Sequence, residues 1–237
     1  MTAESAPLAD HHHPDVSGGW LRPAVFGAMD GLVTNIALIA GVGGGGVAAH
    51  TIVLTGTAGL VAGAISMGLG EYTSVRTQNE QVQAEVAKER RELERNPDGE
   101  AEELAQVWMA RGLPADLAHQ VATTLARNPE EAVRVHVQEE MGIDPDDAPS
   151  PWLAAGSSFV CFSIGALVPL LPYLFGSTSL ALALAVGGLG LFVAGALFAR
   201  FTERAWWASG LRQLVFGATA ADATYLIGSL IGVTAVG

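Results

Sequence analysis

The sequence predicts an all-α membrane protein with five spans and a soluble, acidic helical insert between the second and third, and three observations predict it. Half of the 237 residues are hydrophobic and only 15% are charged, whereas charged residues make up about a quarter of an ordinary soluble domain. Five apolar runs recur along the chain, each near the roughly 20 residues that a helix needs to cross a bilayer. The charge is segregated as well. From Arg76 to Asp147 there are seventeen carboxylates against eight cations, so most of the net charge of -12 sits in that one stretch.

Residues 1–20 read as a polar, disordered tail that includes His11 to His13. The tail lacks the basic start and apolar core of a secretory signal, so membrane entry is expected from the spans themselves. Residues 21–75 hold the first two spans, Pro23 to Val42 and Thr51 to Gly70, separated by the glycine cluster Gly43 to Gly46. Pro23 suits a first helical turn. Residues 76–147 are the acidic insert, and residues 148–237 hold Trp152 to Phe175, Thr178 to Ala199 and Leu214 to Val236. The single cysteine, Cys161, excludes an internal disulfide and a thiolate metal cluster. Short echoes, such as Val25 to Ala28 with Val215 to Ala218 and Glu71 with Glu203, are small apolar matches of a kind that membrane sequence produces by chance.

Five spans put the termini on opposite sides. Arg22, the eight cations of the insert, Arg200, Arg204 and Arg212 all fall on one side of the weave, while Gly43 to His50 and Gly176 to Ser177 have no lysine or arginine. Loops rich in lysine and arginine stay cytoplasmic. The N-terminus and the insert are therefore expected in the cytosol and the C-terminus outside; the membrane expected is a bacterial plasma membrane.

The insert reads as four helices. Thr77 to Arg95 continues the second span, Asn96-Pro97-Asp98-Gly99 is a turn, and a second helix runs from Glu100 to Arg111. After Gly112 and Pro114 a third runs to about Arg127, and Asn128-Pro129 opens a fourth that stops at Gly142. Asp144 to Pro151 is a linker with three prolines.

Within the spans, Asp30 is the sharpest signal. A carboxylate at mid-membrane costs about 2.5 to 3.5 kcal/mol and is tolerated mainly where it faces a cavity or a partner. Gly27, Gly31 and Thr34 share its helical face and admit another helix or an ion. On the second span Gly59, Gly63, Met67 and Glu71 form one stripe at steps of four. A thioether paired with carboxylates leans toward a transition metal such as ferrous iron, although Met67 alone fits plain packing.

In the insert, Glu89 and Glu92 lie one turn apart at the end of one helix, and Glu100 and Glu103 one turn apart at the start of the next. A tight hairpin brings both pairs together, and carboxylates on facing helices are how helical proteins build iron and manganese sites. Glu85 extends the stripe, and His136, Glu139 and Glu140 on the fourth helix are placed to close the cage. The same pattern fits a solvated face in which Arg90, Arg91 and Arg95 pair with the acids, and spacing does not decide between the two. A di-iron oxidase needs paired Glu-x-x-His motifs, and the chain offers only Asp116 and His119.

FGAMDGLVTN (Phe26 to Asn35), AGAISMGLGEYTSV (Ala62 to Val75), the glutamate spacing of three, eight and three, and IGALVPLLPY (Ile164 to Tyr173) together resemble the vacuolar iron transporter family. The resemblance covers nearly everything after residue 20. It implies a homodimer of five-span subunits in the lipid bilayer, with the ion path at the dimer interface and ferrous or manganous ions exchanged for protons. It also implies a cytosolic helical metal-binding domain that holds metal before delivery, and neither a prosthetic group nor a nucleic-acid partner. Matched by motif, Asp30, Met67 and Glu71 belong to the membrane path, and Glu89, Glu92, Glu100, Glu103 and Glu140 to the cytosolic cage. Three positions depart from the plant pattern. Gly59 stands where a glutamate is expected, His136 and Val137 stand where methionines are, and Phe162 lies near an expected tyrosine that Tyr173 does not replace.

The expectation is a membrane exporter of ferrous or manganous ions rather than an enzyme. Its rival is a membrane-anchored metal sensor or store.

Overall fold

A computed structural model describes residues 19–142, 144–145, 147–201 and 204–235. The histidines of the tail, Glu203 and Val236 lie outside these. All regular structure among the described residues is helical: α1 Leu21–Gly44, α2 Ala49–Arg95, α3 Pro97–Ala110, α4 Ala115–Leu125, α5 Pro129–Met141, α6 Pro151–Leu167, α7 Leu171–Leu174, α8 Leu180–Phe198 and α9 Trp206–Ala235. Five segments are long and apolar enough to cross a membrane: Leu21–Gly44, Ala49–Arg95, Pro151–Leu174, Leu180–Phe198 and Trp206–Gly232.

Three boundaries differ from the sequence reading. Asn96 to Gly99 is not a free turn: Asn96 caps α3 by accepting from the Gly99 amide, and Pro97 starts the helix. Asparagine at the cap and proline at the first helical position are both favoured there, so the break shrinks to one residue. The third span changes pitch at Val168–Leu170, a 3-10 turn, where Pro169 and Pro172 remove two amide donors. The last span starts at Trp206 rather than Leu214, because Trp206, Trp207 and Arg212 stay helical at the rim of the apolar run.

α1 is the hub, packed against α6, α9, α2 and α8. Its approach to α6 is close enough to need glycine. A Cβ on Gly31 would strike the Phe162 carbonyl oxygen, and one on Gly165 the Ala28 carbonyl oxygen. Small residues at such crossings let backbones touch where hydrophobic burial gives helices no preference over lipid. Outward, Leu54, Leu69, Ile164, Leu189, Leu226 and Leu230 are all exposed, as lipid-facing side chains are.

The second half of α2 leaves this bundle and carries α3, α4 and α5. They have their own apolar centre of Leu104, Ala105, Ala118 and Ala122, flanked by Trp108, Leu113, Leu125 and Val135.

Candidate metal centre

Three helices meet near the far end of α2. Glu89 comes from α2, Glu100 from the first turn of α3, and His136 from the middle of α5. The Asn96 break turns the chain back at once, and α5 packs along α2. Ligand atoms of the three residues all lie within 4.8 Å of one another. His136 Nδ1 is 3.2 Å from Glu89 Oε1 and 3.9 Å from Glu100 Oε2, and Glu140 Oε1 approaches it to 3.5 Å.

The setting is one that a cation would complete. Glu89 is 6% exposed and His136 is 1% exposed, and Glu89 Oε1 and His136 Nδ1 have no hydrogen-bond partner. Burial, then the negative charges of Glu140, Glu100, Glu92 and Glu103, push the Glu89 carboxyl up to about 7. Burial first, then Glu103, raises the Glu100 carboxyl as well. Like charges gathered in a buried place are held there only at a cost, which a divalent ion removes. Carboxylates with one imidazole suit ferrous, manganous or zinc ions.

The structure thus draws together most of the acids that the spacing singles out, and deals differently with others. Arg90 does not neutralise the cage, because its guanidinium makes a two-pronged pair with Glu130 on α5, at 2.6 and 2.8 Å. Glu139 forms an ion pair with Arg111, whose guanidinium lies over the Trp108 ring at 5.4 Å. Glu85 sits one turn below Glu89 beside Lys88, at 4.0 Å. His119 pairs with Glu102 at 3.4 Å on the exposed side of α3 and α4.

In the spans, Asp30 is half-buried and accepts from Thr34 Oγ1 at 3.2 Å. Met67 packs against Ala64, Phe162 and Ala166, and Glu71 is half-buried. Gly59 touches Leu38 across the α1–α2 contact. Asp30 and Met67 each lie eight residues from that contact toward the same end of the antiparallel pair, and so share a depth.

Polar residues within the spans that escape the sequence reading include Asn35 and Asp222. Asn35 is buried on α1 with its amide bonded to Ala166. Asp222 is exposed on α9, ten residues past Arg212, which is about 15 Å along the helix.

The sequence profile of the VIT family matches residues 21–229. The chain is 32% identical to "Vacuolar iron transporter 1" of Oryza sativa subsp. japonica over 231 residues, covering 95% of this chain and 92% of that protein. It is 36% identical to "Vacuolar iron transporter" of Acanthamoeba castellanii over 191 residues, or 76% and 69% of the two chains. With "Vacuolar iron transporter 1" of Arabidopsis thaliana the identity is 26% over 233 residues, 96% and 93% of the two. A match that begins at the first span, runs through the acidic helices and ends in the last span shows that this chain belongs to the VIT family.

Proposed function

We propose that this protein carries ferrous or manganous ions out of the cytosol in exchange for protons, with the acidic helices as the cytosolic site that first gathers the ion. The observation that carries the reading is the convergence of Glu89, Glu100 and His136 from three helices, with Glu140 beside them. The relatives' names supply iron as the cargo.

Asp30, Met67 and Glu71 mark the route through the spans. Thr34 stays exposed beside the half-buried Asp30, so α1 keeps a polar face open, and a second copy of the chain would complete the path there. Protons and metal compete for the same carboxylates. A carboxylate that opens to the proton-rich side takes up a proton and gives up its ion, and this links the two flows through alternating occupancy. The lysine and arginine distribution supports a cytosolic placement of the acidic helices, and the membrane is taken to be a bacterial plasma membrane.

The test is ferrous iron uptake into vesicles that contain the purified protein, with and without a pH gradient. Uptake is expected to follow the gradient and to fall at least about tenfold, roughly 1.4 kcal/mol, in Asp30→Ala. Uptake indifferent to both would leave a membrane-anchored sensor or store as the better description.

A further inference from the structure

Asn35 is almost fully enclosed, at 1% exposure, and its Nδ2 donates to the Ala166 carbonyl of α6 at 2.5 Å. A carbonyl can only accept, so this bond settles which end of the amide carries nitrogen. The other end, Oδ1, is therefore an oxygen, and it is buried without a donor. A buried acceptor left unmet destabilises the fold, and the Ala166 bond does nothing to relieve it.

Oδ1 looks toward Gly59 on α2. A Cβ on Gly59 would stand 3.7 Å from Oδ1 and 2.5 Å from Leu38 Cδ2. The notch left by the missing side chain is thus held by one methyl group at the end of a flexible residue. Leu38 also lines an apolar groove with Ala37, Gly41, Val42, Thr224 and Ile227. Leu38 is therefore the side chain shared by the groove and the enclosed amide. Its methyl groups can move between staggered wells.

We propose that Asn35 Oδ1 is a mid-membrane oxygen ligand for the transported divalent cation, or for the water it carries, reached when Leu38 leaves the Gly59 notch. This rests on the transport reading above. Asn35 lies five residues beyond Asp30 along α1, about 7.5 Å farther from the end that leads to the acidic helices. An ion leaving the depth of Asp30 and Met67 would meet it next. A neutral amide oxygen holds a borderline cation more weakly than a carboxylate, which suits a station the ion must leave.

The experiment measures ferrous iron uptake by the full chain in phospholipid vesicles, for wild type, Asn35→Leu and Asn35→Asp. Binding of ferrous iron to the acidic cage is titrated on the same samples. Leucine keeps the volume and removes the oxygen, while a protonated aspartic acid keeps an acceptor oxygen and one donor for the Ala166 carbonyl. Asn35→Leu is expected to lose uptake at least about tenfold, Asn35→Asp to retain it, and both to bind iron at the cage as wild type does. Wild-type uptake in Asn35→Leu overturns this inference and leaves the transport reading standing, whereas wild-type vesicles that take up nothing overturn both. If Asn35→Leu is not monodisperse, Leu38→Ala decides. That change leaves the Asn35–Ala166 bond in place and is expected to raise uptake; unchanged or lower uptake overturns the inference.

Discussion

Glu89 shows what one residue's surroundings demand. Burial and four neighbouring carboxylates raise its carboxyl from 4.5 to about 7, so in the metal-free protein the proton is held more tightly in the fold than in the unfolded chain. The resulting stability is fully present below about pH 4.5 and is lost as pH rises through about 7. Thermal unfolding of the metal-free protein is expected to show that decline between pH 4.5 and 7, and Glu89→Gln is expected to flatten it. Metal binding runs the opposite way. Below pH 7 an incoming ion must displace the Glu89 proton, so affinity for ferrous iron should climb across the same window and then level, as a titration at several pH values would show. The sequence offered these residues as candidates, because they combine metal-ligating chemistry with one-turn spacing on either side of a break, but spacing left a solvated face equally open, and their convergence with His136 needed the fold. Arg111 drawing off Glu139 was not legible, since nothing local to either residue announces a partner 28 positions away. Asp222 carries the same signal as Asp30, a carboxylate inside an apolar run, with Thr219 and Tyr225 at helical spacing, and the sequence reading passed over it.

Helix existence followed from hydrophobic run length, and helix boundaries depended on chemistry at single positions. The asparagine cap and proline start of α3 override the turn that four breaker residues predict. The 47-residue α2 was legible as one helix, because no breaker separates Gly70 from Arg95. Glycine-mediated packing between helices was only half legible: a small-residue face is visible in sequence, but its partner is not. Gly31→Ala puts a methyl group into the Phe162 carbonyl, and α1 and α6 must part to admit it. We expect a loss of about 1 to 3 kcal/mol, measured as a lower unfolding midpoint in detergent. Gly156→Ala on α6 meets nothing within 4 Å, so the same methyl group there should be neutral or should stabilise by up to about 1 kcal/mol. Equal effects at the two sites would contradict the close crossing of α1 and α6.

For the whole molecule, alternation of spans and segregation of charge make a statement about sides. In a Cys161→Ala background, cysteines introduced singly at Glu94 and at Ser177 should react with an impermeant thiol reagent from opposite faces of the membrane, with Glu94→Cys labelled from the cytosol. Labelling of both from one face would remove the five-span arrangement. What the sequence could not supply at this scale is which faces of the helices meet one another and which meet lipid, because every span is apolar nearly all round. Exposed leucines on α2, α8 and α9 read the same in sequence as the buried Leu32 and Leu191 of the core.

The continuity of α2 sets a distance with its own consequence. Glu71, at the mouth of the spans, and Glu89, in the cage, are eighteen residues apart on one unbroken helix, or about 27 Å at 1.5 Å per residue. The screening length in physiological salt is about 8 Å. Filling or emptying the cage is therefore electrically invisible at the mouth. On the transport reading proposed above, the acidic helices would act as a local reservoir, setting how often an ion arrives without an electrostatic effect on how tightly the mouth holds it.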